Sequence, residues 1–217
     1  MNFLQICQEA NRLAGMQGTL STVASSTSYQ YTLVRFVAQA WIDLQTLRKD
    51  WPFMRSSVAL NTTAAKTEYT LANLGVTDVA RWHLVTYLNS SSKNQKVNPM
   101  SYDSYLLDNV ATEGAGAPRR YAVDPIDKHI YLNPPDAVYA MTLHYYTEPV
   151  ELTGNTDEPT LSDSYHMLLA YMGAAHMAAF MGNSNLYSDL SFRADVMLGS
   201  LMRDELPRRR VKIRGIV

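Results

Sequence analysis

The spacing of apolar residues changes period twice along the chain. Near the start, Phe3, Ile6, Cys7, Ala10, Leu13 and Ala14 recur at the i, i+3, i+4, i+7 spacing of a helix, and Gly15 is a natural stop. The polar stretch GMQGTLSTVASSTS reads as a loop. A second stripe, Leu33, Phe36, Val37, Ala40, Trp41, Leu44 and Leu47, predicts a helix over about 29–50. WPF at 51–53 ends it, because Pro52 disfavours helical geometry at Trp51.

The period then shortens to two. Met54, Ser56, Val58 and Leu60 alternate with other residues, and TEYTLA follows the turn-like NTTAAK, which predicts a hairpin. WHLVTYLN (82–89) reads as a further strand and YDSYLLDN (102–109) as a short helix. RRYAVDP, HIYLNPP and VYAMTLHYYTEP give three more strands separated by Pro and Asp turns. Val138, Ala140, Thr142, His144 and Tyr146 would share one face of the last.

The helical period returns in DSYHMLLAYMGAAHMAAFMG, with Ser162 as N-cap, Asp163 in the first turn and Gly182 as stop. A last helix over 185–206 carries Tyr187, Leu190, Ala194, Met197 and Leu201 on one stripe, and Pro207 ends it. The expected fold class is α+β. N-terminal helices (1–53) and C-terminal helices (153–207) would form a four-helix bundle, with a β-rich insert at 54–152 and an extended tail at 208–217.

Composition narrows the function. Of 217 residues, 47% are hydrophobic, enough for a real core, and only 18% are charged. The 14 tyrosines suit interfaces as well as core edges. Both a chain covered by partners and a Tyr-rich monomer fit these values. A single cysteine, Cys7, excludes an internal disulfide and falls on an apolar helix face, as a small core residue would. No secretory signal and no run of 18 apolar residues is present, so a reducing cytosol and no membrane span are expected.

The charge is unevenly distributed. The tail RRRVKIRGIV holds five basic residues and no acidic one. Without it, 14 Lys+Arg face 20 Asp+Glu, a net of −6. Arg208, Arg209, Arg210, Lys212 and Arg214 could neutralise phosphates without reading sequence. A membrane role is disfavoured, since the tail lacks aromatic anchors and a lipidation motif. Val211 and Ile213 alternate with Lys212 and Arg214, a pattern that could add a strand to a partner's sheet. A plain disordered end fits equally.

No catalytic constellation is visible. GAGAPRR (114–120) lacks the third glycine of a dinucleotide fingerprint and the Lys-Ser/Thr of a phosphate loop, so it reads as a flexible loop. His83, His129, His144, His166 and His176 show no metal-ligand spacing; the last two stand ten residues apart, roughly 15 Å along a helix. No G-x-S-x-G elbow occurs. Asp157 and Glu158 precede a helix, where a solvated, dipole-facing role is the simplest reading. No enzymatic activity, cofactor or metal is expected.

The whole order of segments resembles the head-to-tail adaptor (connector) proteins of tailed bacteriophages. The resemblance lies in QICQEANRLAGMQG, RFVAQAWIDLQTLRKDWPFMR, APRRYAVDPIDKHIYLNPPDAVYAMTLHYYTEPVEL and NTDEPTLSDSYHMLLAYMGAAHMAAFMG, closed by LP at 206 and 207. It implies a structural virion protein of the phage neck, assembled in the host cytoplasm and not an enzyme. Such a protein forms a homo-oligomeric ring, typically of twelve copies, below the portal protein. The ring extends the channel for genomic DNA and docks a downstream tail or nozzle protein. The resemblance also makes Arg208, Arg209, Arg210, Val211, Lys212, Ile213 and Arg214 a portal-docking arm. The alternative is a non-specific nucleic-acid-binding protein acting through the same tail.

Overall fold

The computed structural model describes residues 1–24, 28–89, 92–108 and 114–205. Within them the protein is mixed α+β. The helices are α1 (Phe3–Leu13), α2 (Ser28–Leu47), α3 (Leu71–Leu74), α4 (Tyr102–Leu107), α5 (His166–Phe180) and α6 (Ser184–Glu205). The strands are β1 (Arg55–Asn61), β2 (Glu68–Tyr69), β3 (Val79–Leu88), β4 (Asn94–Lys96), β5 (Asn98–Pro99), β6 (Arg120–Val123), β7 (Ile130–Leu132) and β8 (Ala140–Thr147). The chain divides into two units: Met1–Phe53 with Pro149–Val217, and Met54–Glu148.

In the first unit, α5 packs against α1, α2 and α6, and α1 also packs on α2. The sequence explains the central place of α5. It is apolar nearly all round, and small residues (Ala170, Gly173, Ala174, Ala175, Ala178) are buried along it, so neighbouring helices approach closely. The N-terminus of α1 is satisfied in two ways. Asn2 and Gln5 form a reciprocal capping box. The remaining first amides, Phe3 N and Leu4 N, donate to the carbonyls of Asp157 and Asn155 at 2.7 and 3.2 Å. Gly15 takes φ +67° just past the helix, where a side chain would be strained.

After α2, a 3-10 turn at Pro52–Met54 continues the chain. Trp51 is fully buried, its indole N–H donates to Leu44 O at 2.7 Å, and Phe53 stacks between Trp51 and Trp41. The C-terminal helix entry differs from the sequence expectation. Ser162 makes no side-chain cap bond, and Asp163 lies in a 3-10 turn (Asp163–Tyr165) ahead of α5.

The second unit holds two four-stranded sheets, ordered β1-β8-β3-β4 and β2-β7-β6-β5. The expected hairpin between the 54–60 strand and TEYTLA is not formed. β1 pairs with β8, antiparallel from Arg55↔Tyr146 to Asn61↔Ala140, and β2 pairs with β7. A local turn rule favours the near neighbour, but the long, apolar β8 offers seven registered partners to β1. One core lies between the sheets and draws on both: Leu60, Val85, Met141, Leu143 and Tyr145 from the first, Tyr69, Tyr121, Ile130 and Leu132 from the second. On β8 the core therefore takes the odd positions; Ala140, Thr142 and His144 lie on the other face, where Tyr146 is buried beside Arg81 and His83. On the other face of the second sheet, Tyr105 of α4 packs with Ala122 and Tyr131.

Candidate functional site

The features that stand out in the helical unit are surfaces rather than a cleft. On the α2–α5 side, Tyr29, Phe36, His176 and Phe180 form a chain of ring contacts, with centroids 5.9–6.4 Å apart. Tyr29, Tyr31, Phe180 and Met181 are all well exposed, at 61, 55, 57 and 41%. An open groove beside them is also lined by Met16 and Gln17. On the α5–α6 side, Tyr165, Tyr171, Phe192, Val196 and Met197 line a second groove, with Phe192 68% and Val196 56% exposed.

These two surfaces leave α5 in opposite directions. Tyr171 and Phe180 are nine residues apart, about two and a half turns, which places them on opposite sides of the helix axis. The stripe on α6 has the same origin. Leu190, Ala194 and Leu201 are buried against α5, whereas Phe192 and Val196, four residues apart, form a second apolar row. Sequence periodicity found the first row and missed the second, because only packing shows which stripe is covered.

The chemical candidates fall apart in space. The Cys7 thiol is buried, and desolvation pushes its pKa up to about 12, so it is not available as a thiolate. Asp157 meets the N-terminus of α1 through its backbone carbonyl, not its carboxylate. Its carboxylate accepts from Thr153 N (2.8 Å) and Gly154 N (2.7 Å), closing its own loop, and these amides hold its pKa below the usual range. His166 lies against Leu161 O, with Nε2 at 2.9 Å. His129, just ahead of β7, pairs with Glu68 of β2 at 3.0 Å. Among the described residues no three His, Cys, Asp or Glu side chains gather as a metal site. GAGAPRR is tied down where it is described. Asn133 Oδ1 accepts from Arg119 N and Arg120 N, and Asn133 Nδ2 donates to Ala117 O.

Two histidines are brought together. His144 stands opposite Leu84, the residue after His83, on the outward face of the first sheet, and it is one of the groups that lower the His83 pKa. The tail residues Arg208, Arg209, Arg210, Val211, Lys212, Ile213 and Arg214 lie outside the described residues. No described helix is long and apolar enough to cross a membrane.

Comparison with known families matches residues 1–213 to the SU10 adaptor protein family. The match spans nearly the whole chain, and the protein belongs to this family of phage head-to-tail adaptors. It is thus a structural component of the virion neck, of a kind that is generally not enzymatic. No curated protein matches the chain.

Proposed function

We propose that the protein assembles as a ring below the portal, with typically twelve copies, that extends the DNA channel and docks the next tail or nozzle component. The observation that carries this reading is the pair of unlike apolar surfaces on either side of α5. Large exposed apolar patches on a soluble protein mark interaction sites. A two-fold dimer needs one self-complementary patch. Two different patches suit a head-to-tail contact repeated around a ring, each copy offering its Phe180 side to the Phe192 side of the next. The four-helix arrangement would form the body of that ring. Residues 208–217 act as the portal-docking arm, with Val211 and Ile213 against a partner strand and the basic side chains toward an acidic portal surface.

The head-to-tail geometry has a direct test. Phe180→Asp and Phe192→Asp each remove one patch and leave the other intact. Each variant alone stays monomeric in sedimentation velocity, under conditions where the wild type associates. Mixed in equal amounts, they form a single intact interface and stop at dimers. Dimers from either variant alone, or full association in spite of both changes, would reject this interface.

A further inference from the structure

The outward face of the first sheet carries a concentration of positive charge that the sequence scatters. The strands β1, β8, β3 and β4 contain no Asp or Glu. Pairing sets Arg55 of β1, Tyr146 of β8 and Arg81 of β3 in one row across three strands. The next row holds Ser57, His144 and Leu84, and Lys96 of β4 stands opposite Thr86. A register shift between Trp82 and Leu84 inserts His83 into β3. There its ring meets Tyr146 edge-on at 5.3 Å, while the Arg81 guanidinium lies 5.1 Å over the same tyrosine. The five basic side chains thus occupy a strip four strands wide, about 14 Å.

We propose that this face, through Arg55, Arg81, His83, His144 and Lys96, binds the phosphate backbone of nucleic acid without sequence preference. The site is separate from the basic tail and requires neither the ring nor the portal. Most of its other outward residues, Ser57, Ala59, Thr86 and Thr142, are small or polar; Leu84 is half-buried and Tyr146 is buried under Arg81 and His83. The large exposed apolar side chain on these strands, Leu88, sits at the end of β3. Protein interfaces are anchored by aromatic and aliphatic groups, as on the helical unit, whereas nucleic-acid interfaces are polar and basic. The face has the second character.

The histidines add a signature. Burial lowers the pKa of His83, and Arg55, Arg81, His144 and Lys96 lower it further. Burial and Arg55 lower that of His144. Both rings are therefore biased toward the neutral form in the free protein. A phosphate set among these cations reverses the balance and favours the protonated rings, so binding takes up protons and tightens as pH falls.

The test uses the full-length chain and a fluorescein-labelled, mixed-sequence DNA duplex of about 30 base pairs, read by anisotropy. The tail is first silenced by Gln at 208, 209, 210, 212 and 214. This background is expected to bind, and more tightly at about pH 5.5 than 7.5, a gain that His83→Asn with His144→Asn reduces. Adding Arg55→Gln, Arg81→Gln and Lys96→Gln should weaken binding on the order of tenfold and flatten the salt slope by about 2 to 3. Arg55→Lys with Arg81→Lys should restore most of it. If the triple variant melts early, Lys96→Gln alone decides, through a loss of about one unit of slope. A background that does not bind, or unchanged affinity and slope, overturns the proposal. So does unchanged DNA binding with lost attachment to an acidic protein partner. None of these results bears on ring formation, which is read without DNA.

Discussion

A β-carbon built on Gly173 of α5 would lie 2.4 Å from Val37 Cγ2 and 3.0 Å from Val37 Cα on α2. The two helices meet backbone to side chain at this point, and glycine is what permits it. Gly173→Ala forces the Val37 branch or the α2 backbone to move, and overpacking of this kind costs about 1–3 kcal/mol. Urea denaturation should show that loss. Val37→Ala in the same background should recover part of it, because it removes the atom that clashes.

Gln45 makes a second contact on which the helical unit depends. Its side chain is buried; Nε2 donates to Val150 O at 3.0 Å, and Oε1 accepts from Val150 N at 3.0 Å. One amide thus substitutes for a strand partner. Gln45→Leu keeps the volume but leaves both polar groups of Val150 without that partner. A loss of about 2 kcal/mol is expected, measured by the urea midpoint. Gln45→Glu, which cannot donate to the carbonyl, should be at least as damaging at neutral pH.

Asp157 gives a pH signature of definite sign. The Gly154 and Thr153 amides hold its folded pKa below the unfolded value. Its contribution is therefore full above the ordinary carboxylate range, and it is lost as pH falls through the lowered folded value. The wild type should be more stable than Asp157→Asn at pH 7, and the difference should shrink in acid. The effect should reach α1, since the carbonyls of Asn155 and Asp157 receive its first amides. Hydrogen exchange at Phe3 and Leu4 should accelerate in the variant.

The long helices were legible in the sequence because their apolar residues recur at helical spacing, from Phe3 and Ile6 in α1 to Leu190 and Leu201 in α6; the four-residue α3, which begins inside the TEYTLA stretch read as strand, was not. Short-range signals failed where distant groups did the same work. The 54–60 strand pairs with residues 140–146 instead of its neighbour. Ser162 does not cap, and α1 takes part of its cap from the 155–157 carbonyls. The basic sheet face was illegible for the same reason. Arg55, Arg81 and His144 are far apart in sequence, and only the register places them together. The family resemblance was legible because it rests on the order of many segments rather than on one motif.

Removal of residues 208–217 should leave the fold intact and weaken portal attachment, measured as binding to purified portal rings. Unchanged portal affinity would refute the docking arm. Lost DNA binding with normal portal attachment would instead make the tail a nucleic-acid handle.

The most direct measurement is negative-stain microscopy of the purified protein mixed with portal rings across a range of salt. A ring of additional density, appended to the portal and coaxial with its channel, is the predicted result. Portal rings without added density at every salt concentration would contradict the assignment of this chain as a ring-forming head-to-tail adaptor.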